Sequence, residues 1–190
     1  MRQFNPITIK SDKVVSSVTS ICKVSKAIPL QKYKEEASKA QFKEYTAVWD
    51  TGATRTTISQ KIVDELGLSP VGKVWSSTAN GMVLVDTYPI CVLLPNDIAF
   101  PTIIVPCNNL GDTEMLIGMD IIGHGDFSLT SVGNKTTFSF RMPSVKEIDY
   151  EEEKRLLQKY EKIHAVWLKQ GNRRCPCGSG KYWELCHGKD

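Results

Sequence analysis

The sequence predicts a mainly β domain followed by one long helix and a short cysteine-rich tail. Short runs rich in Val, Ile and Thr recur between Ile7 and Ile122, and turn-forming residues such as Pro95-Asn96-Asp97 separate them. The composition changes near Pro143, after which helix-forming residues continue to Gln170. Three of the six cysteines are then grouped at the C-terminal end. Short strands at close spacing indicate a compact all-β domain.

Composition narrows the classes of protein that this chain can represent. A chain of 190 residues can bury one core of ordinary size, so we expect one main domain. The hydrophobic fraction is 41%, and no run reaches the roughly eighteen apolar residues of a membrane-spanning helix. The start of the chain lacks the apolar core of a secretory signal, so we expect a cytoplasmic protein without a membrane partner. A net charge of +3 is low for a nucleic-acid binder of this size, so we expect no nucleic-acid partner.

The first half of the chain contains two strand regions around a polar insertion. Residues Ile7 to Ile28 predict one or two strands. Gln31 to Lys43 is polar and predicts either an exposed helix or an inserted loop. Thr46 to Trp49 predicts a short buried strand that ends on Asp50, and Ile58 to Leu66 predicts a short helix closed by Gly67. A strand that ends on an acid is a candidate position for chemistry.

A β-ribbon is predicted in the middle of the chain. The pair Asn80-Gly81 takes the positive φ angles of a tight hairpin turn readily, and apolar runs flank it at Val71 to Ser77 and Met82 to Thr87. Three further apolar runs follow, at Ile90 to Leu94, Ile98 to Val105 and Glu114 to Ile122. We expect the ribbon to project from the β domain.

A long helix is predicted after Pro143. Ser144 with Glu147 forms a plausible capping box, and Gly171 ends the helical stretch. Along it, the apolar residues recur at helical spacing: Leu156, Tyr160, Ile163 and Trp167. This seam packs either onto the β domain or against the same helix of a second copy, and the sequence leaves both possibilities open.

Three segments of the predicted β domain form a pattern when they are taken together. Ala47 to Thr54 reads Ala-Val-Trp-Asp-Thr-Gly-Ala-Thr, which resembles the catalytic loop of the retropepsin family of aspartic proteases. Met115 to Ile122 resembles the second hydrophobic-Gly element that packs beside that loop. The hairpin at Asn80 and Gly81 lies where the family has a flap that closes over bound peptide. The resemblance implies a closed β-barrel, here residues 1–143 with an N-terminal extension, and an aspartic endopeptidase.

The resemblance also implies a dimer and a set of site residues. Aspartic peptidases activate water between two carboxylates that share one proton. Because the chain has a single Asp-Thr-Gly, Asp50 of a second identical chain would complete the pair, so a symmetric homodimer acting on a protein or peptide substrate is implied. By resemblance Asp50 is catalytic, Thr51 ties the two loops together, Gly52 offers backbone groups to substrate and Ala53 keeps the surroundings small. Asp120 is expected to support the site rather than react.

The same residues also allow other interpretations. Asp50 could be an ordinary turn or capping residue, Asn80-Gly81 an ordinary hairpin, and Leu116-Ile117-Gly118 an ordinary core strand. The alternative nucleophiles are Thr57, Ser59, Cys91 and Cys107, none of which lies in a recognisable hydrolase signature. His124 is expected in a turn, and His164 at the polar margin of the long helix.

The tail from Asn172 to Gly188 closely resembles the SEC-C motif. Cys175, Cys177, Cys186 and His187 supply three thiolates and an imidazole, a set that suits tetrahedral Zn²⁺. Four protein ligands leave no open position for catalysis, so the expected role of the zinc is structural. We therefore assign residues 144–171 as a helical linker and 172–190 as the zinc-binding module. The alternative is a surface tail with reactive thiols or a disulfide.

Three hypotheses about function follow from the sequence. The first is a homodimeric endopeptidase whose zinc module docks a protein partner. We expect a bacterial protein, because modules similar to its tail occur in bacterial proteins. The second is a catalytically inactive retropepsin-like protein that binds peptides or dimerises and acts through the zinc module. The third, nucleic-acid binding through Arg173, Arg174 and Lys181, is the least favoured, because the basic residues are few.

Overall fold

The computed structural model describes residues 4–78 and 81–188, which form two compact units. The first unit extends to Val145 and the second begins at Lys146. The first contains most of the predicted strands, and the second contains the long helix and the cysteine-rich tail. The mainly β character and the C-terminal helix are therefore confirmed.

The first unit is built from short strands and three short helices in its described part. Its strands are β1 (Asn5–Ser11), β2 (Val18–Lys26), β3 (Lys43–Trp49), β4 (Thr57–Ile58), β5 (Gly72–Thr78), β6 (Gly81–Leu94), β7 (Ile98–Pro106), β8 (Met115–Ile117), β9 (Asp126–Thr130) and β10 (Thr136–Met142). Its α-helices are α1 (Tyr33–Glu36), α2 (Gln60–Leu66) and α3 (Met119–Ile122).

The strands divide into two sheets, and neither sheet closes into a barrel within the described residues. The smaller sheet has the order β1-β10-β9, and the larger has the order β4-β8-β3-β2-β6-β5 with β7 paired to β6. A closed barrel needs the strands at the two ends of the order to pair with each other. In the larger sheet β4 and β5 stand at the ends and do not pair, while β1 joins the smaller sheet. The expected closed barrel is therefore wrong.

Trp49 joins the two sheets through the hydrophobic core. Its ring centroid lies 4.9 Å from that of Phe138 and 5.0 Å from that of Phe140, both on β10. Tyr45 and Ala47 are buried with Trp49 because alternate residues of β3 point to one face. Burying a side chain of this size contributes about 2–3 kcal/mol. The strand that carries Asp50 is thus anchored one residue before the acid.

Two predicted elements of the first unit differ in detail from the structure. The polar segment after Ile28 contains only a 3₁₀ turn at Leu30–Lys32 and the one-turn helix α1. The apolar run from Glu114 to Ile122 splits into β8 and α3 because Gly118, between them, has an extended backbone and caps the helix. Apolar content alone does not distinguish a strand from a short buried helix.

The predicted ribbon is the antiparallel hairpin of β5 and β6. The prediction that Gly81 lies in the turn is wrong. Gly81 is the first residue of β6, it pairs with Thr78, and its φ is 106°. A positive φ of this size favours glycine. Asn80, the other predicted turn residue, lies outside the described residues.

The second unit begins with α4 (Tyr150–Lys169), whose N-terminus differs from the prediction. Asp149 is the N-cap, and its Oδ1 accepts hydrogen bonds from the backbone amides of Glu151 (2.8 Å) and Glu152 (3.0 Å). The predicted capping box at Ser144 and Glu147 is wrong, because a carboxylate closer to the helix satisfies the free amides. In the described part of the chain, α4 is too polar to span a bilayer and no other helix is long enough.

Candidate active site and metal centre

Asp50 lies at the end of two adjacent parallel strands. β3 pairs with β8 in parallel, with Trp49 opposite Ile117, and the backbone amide of Asp50 donates a hydrogen bond to the carbonyl oxygen of Ile117 (2.9 Å). The chain then leaves the sheet through a tight turn in which the Ala53 amide donates to the Asp50 carbonyl oxygen (3.2 Å). Asp50 is therefore held at the edge of the sheet where β3 and β8 end.

The turn itself places a donor on the Asp50 carboxylate. The Gly52 amide donates to Oδ1 of Asp50 at 2.9 Å. A Cβ added to Gly52 would lie 3.2 Å from that oxygen, so glycine leaves the carboxylate the room that it needs. Among residues 4–78 and 81–188, nothing donates to Oδ2 of Asp50, and this oxygen is available to a ligand.

The hydrophobic-Gly element packs against this loop, as the sequence resemblance implies. The Met119 amide donates to the Ala53 carbonyl oxygen at 2.8 Å. A Cβ on Gly118 would lie 2.4 Å from the carbonyl carbon of Arg55, 2.7 Å from the Thr56 nitrogen and 2.8 Å from the Ala53 oxygen. No side chain fits in that space, so glycine is required for the close approach of the two backbones.

Asp120 supports the loop through Thr56. Its Oδ1 accepts hydrogen bonds from the Thr56 amide (2.8 Å) and the Thr56 hydroxyl (2.7 Å). The Thr56 oxygen in turn accepts from the Gly118 amide (3.1 Å), and Thr56 is fully buried. Sequence reasoning missed Thr56, because one threonine in a Thr-Arg-Thr-Thr run carries no distinguishing signal.

A cleft of about 660 Å³ lies between the Asp50 loop and the β5–β6 hairpin. The loop contributes Asp50, Gly52 and Ala53, while the hairpin contributes apolar residues that include Trp75 and Met82. A larger cavity of about 800 Å³ adjoins it along residues 108–110 but does not include Asp50. We assign the smaller cleft as the candidate site because it contains the oriented carboxylate. Thr51 is exposed and is not among the residues that line the cleft.

The alternative nucleophiles have no catalytic environment. The Thr57 hydroxyl donates to the Arg55 carbonyl oxygen at 3.0 Å, and the Ser59 hydroxyl is buried without a partner in the described part of the chain. Burial raises the pKa of the Cys91 thiol to about 11, and it also raises the pKa of Cys107. A thiol with a raised pKa is a poor nucleophile at neutral pH.

The four predicted metal ligands of the tail lie together. The ligand atoms of Cys175, Cys177, Cys186 and His187 are all within 4.8 Å of one another. His187 Nδ1 lies 3.1 Å from Cys175 Sγ and 3.3 Å from Cys186 Sγ, and the Sγ atoms of Cys177 and Cys186 are 3.6 Å apart. Zinc bond lengths of about 2.3 Å to sulfur and about 2.0 Å to nitrogen put tetrahedral ligands about 3.5–3.8 Å apart. The donor set therefore fits a tetrahedral metal ion.

The thiols of the tail are poised for metal rather than for a disulfide. A distance of 3.6 Å between sulfur atoms is far longer than a disulfide bond of about 2.05 Å, and the six cysteines are free. The disulfide alternative is therefore wrong. Hydrogen bonds from Ser179 lower the pKa of Cys177 to about 6, whereas burial raises the pKa of Cys175. Thiolates are the form that binds metal.

The tail packs on one face of α4. His164 is buried and stacks on Trp183, with ring centroids 4.6 Å apart and 13° between planes. Tyr160 lies one helical turn earlier, 5.0 Å from the ring of His187. The prediction that His164 sits at a polar margin is wrong, because the tail covers that side of the helix. The i, i+4 spacing of Tyr160 and His164 was the available signal.

Part of the first unit is similar in sequence to a family of aspartyl proteases. Residues 39–124 match the family described as "gag-polyprotein putative aspartyl protease", a segment that contains the Asp50 loop, the hairpin and Gly118. No curated protein matches the sequence. The match covers less than half of the chain and ends before the cysteine-rich tail.

Two solved structures are similar to this chain at low identity. A retropepsin-like aspartic protease from Rickettsia conorii is 11% identical with a TM-score of 0.44, and the similarity covers 74% of this chain and 97% of that one. The Simian foamy virus (mac) protease is 19% identical with a TM-score of 0.33, and the similarity covers 42% of this chain and 81% of that one.

Proposed function

We propose that the protein is an aspartic endopeptidase, active as a homodimer in which each subunit contributes one Asp50. One observation carries the proposal: Asp50, oriented by the Gly52 amide, is the only acid among the described residues that line the cleft beneath the hairpin. An aspartic protease needs two carboxylates that share a proton. A second copy, related by twofold symmetry, supplies the missing one most simply.

In the proposed reaction the two Asp50 side chains have different protonation states. The ionised Asp50 accepts a proton from water as the water attacks the peptide carbonyl. The protonated Asp50 donates a hydrogen bond to the carbonyl oxygen, where negative charge develops. When the C–N bond then breaks, the leaving amine takes the proton that the first Asp50 received from water. Oδ2, which accepts no hydrogen bond within the described part of the chain, is the natural atom for these contacts. Gly52 offers backbone groups to the peptide, and Thr51 links the two loops.

We propose that the tail is a structural zinc site and a docking module for a protein partner. Cys175, Cys177, Cys186 and His187 would hold the ion, which would crosslink a segment too short to fold alone. The contacts of Trp183 and His187 with α4 would then fix the orientation of the module on the helix. This role requires no participation of the metal in peptide hydrolysis.

Cleavage of a diverse peptide library at pH 5 and pH 7 tests the proposal. The wild type is compared with Asp50→Asn, which keeps the shape of the side chain but cannot be a general base. Asp112→Asn is the matched control, because Asp112 is an exposed acid outside the cleft that also precedes a threonine. We expect cleavage by the wild type and by Asp112→Asn, and none by Asp50→Asn. Cleavage that survives in Asp50→Asn contradicts the proposal, and a wild type that binds but never cleaves peptides supports a binding protein instead.

A further inference from the structure

Arg55 is a cation without a partner in the candidate cleft. Of the described residues that line the cleft, only Asp50 and Arg55 are charged. In the described part of the chain, no ion pair joins Arg55 to Asp50 or to any other carboxylate, and its guanidinium makes no hydrogen bond. The positive charge of Arg55 is therefore available to a ligand that enters the cleft.

The backbone of Arg55 is held firmly from both sides. Its carbonyl carbon lies against Gly118 so closely that a Cβ there would come within 2.4 Å. The Thr57 hydroxyl donates to its carbonyl oxygen at 3.0 Å, and the next residue, Thr56, is bound to Asp120. The network that holds the Asp50 loop therefore also fixes the position of the Arg55 backbone. A fixed backbone reduces the entropy lost when a side chain binds a ligand.

The surroundings of Arg55 suit an interaction with a carboxylate. The hairpin that forms the other wall contributes Val74, Trp75 and Met82 together with Ser76 and Ser77, none of which carries a charge. A guanidinium offers parallel N–H donors that match both oxygens of a carboxylate, and the pair strengthens as water is excluded. An endopeptidase cleaves far from the terminal carboxylate of its substrate. A carboxylate that pairs with Arg55 must therefore belong to an Asp or Glu side chain.

We propose that Arg55 is a specificity-determining residue that selects peptides with Glu or Asp close to the cleaved bond. This inference rests on the proposed endopeptidase function and defines its substrate class. A twofold-symmetric dimer would place one Arg55 in each half of the cleft. The acidic preference is then expected at equivalent positions on both sides of the cleaved bond, and it should be strongest when both are acidic.

The test compares kcat/KM for sets of peptides that differ only by Glu, Gln or Lys at each position around the cleavage site. For the wild type we expect Glu to be favoured about threefold to tenfold at the position that faces Arg55. Arg55→Gln should remove the preference, Arg55→Lys should keep part of it, and Arg55→Glu should favour Lys instead. Lys34→Glu is the matched control, because Lys34 is exposed and outside the cleft. Thermal melts identify any variant that fails to fold.

The outcomes separate this inference from the proposed function. Asp50-dependent cleavage with the same Glu-to-Gln ratio in wild type, Arg55→Lys and Arg55→Gln overturns the role of Arg55 and leaves the protease intact. Cleavage that does not depend on Asp50, or no cleavage at all, overturns the proposed function. Binding of the same peptides to Asp50→Asn, measured by fluorescence anisotropy, should show the same Glu preference, and an equal affinity for Glu and Gln peptides also overturns the inference.

Discussion

Thr56 donates both its backbone amide and its hydroxyl to the same oxygen of Asp120, at 2.8 and 2.7 Å. The Thr56 hydroxyl oxygen also accepts a hydrogen bond from the amide of Gly118, two residues before Asp120. The interaction joins the segment after Asp50 to the start of α3. It explains how an exposed turn can hold a carboxylate in one orientation.

Removing Asp120 should destabilise the protein and loosen the site. In Asp120→Ala the buried Thr56 amide and hydroxyl lose their acceptor, and we expect the free energy of unfolding to fall by about 2–4 kcal/mol. Asp120→Asn keeps an acceptor oxygen and should lose about 1 kcal/mol. Urea denaturation measures both values. Equal stabilities of wild type and Asp120→Ala would show that the bonds contribute nothing.

Gly118→Ala should disturb the site by steric overlap alone. The new methyl group would lie 2.4 Å from a backbone atom of Arg55, which cannot move as a flexible side chain can. We expect a loss of about 2–4 kcal/mol in stability, at the upper end for overpacking. Gly72→Ala is the control, because Gly72 does not have a positive φ and its added Cβ would meet only the Thr87 hydroxyl oxygen, at 3.4 Å. A Gly118→Ala variant as stable as Gly72→Ala would contradict the packing described.

The Glu114–Lys61 pair should make stability depend on acid pH. Two hydrogen bonds hold the pKa of Glu114 below its ordinary value of 4.5. The larger effect comes from Lys61, at 2.6 Å, and the smaller from the Thr46 amide. A depressed pKa means that Glu114 contributes stability above the unfolded-state pKa and loses it as pH falls through the folded-state pKa. Glu114→Gln should therefore destabilise the protein at pH 7 and much less at pH 3.

Urea denaturation at the two pH values measures this difference. Glu35→Gln is the control, because Glu35 is exposed on α1 and no described residue pairs with it. A Glu114→Gln variant with the same deficit at pH 7 and pH 3 would show that the carboxylate charge is not the source of the stability.

Removal of metal should unfold the tail without unfolding the β unit. We expect about one zinc ion per chain in the purified protein, and loss of the ion should release Trp183 from His164, because metal binding supplies the folding energy of so short a segment. Zinc content and tryptophan fluorescence before and after chelation measure both effects. Cys177→Ser should behave as the chelated protein, whereas Cys107→Ser should keep its zinc. Unchanged fluorescence on chelation would contradict the coupling.

The local parts of this structure were predictable from sequence, and the long-range pairings were not. Alternation in β3 and the Asp-Thr-Gly turn after Trp49 depend on neighbouring residues, so the position of Asp50 at a strand end could be read directly. The separation into two sheets depends on the pairing of β1 with β10, about 130 residues apart, for which no local pattern exists. The closed barrel was implied by the family resemblance and not by any local pattern in these residues.

The two candidate sites were predictable to different degrees. The four metal ligands are close in sequence and could all be identified. The Thr56–Asp120 bonds and the free Arg55 depend on contacts made only after folding, since residue type alone does not distinguish Thr56 from Thr57. The stacking of Trp183 on His164 could likewise not be predicted from the sequence, because a histidine on a polar helix is usually exposed.

The central claim is that each active site needs Asp50 from two copies of the chain, and a subunit-mixing experiment tests it most directly. Wild type and Asp50→Asn are mixed in equal amounts, allowed to exchange subunits fully, and assayed for peptide cleavage at constant total protein. If both carboxylates are required, activity falls to about one quarter of the wild-type value, because only a quarter of random dimers contain two wild-type subunits. Activity of about one half would mean that each chain works alone, and would contradict the account.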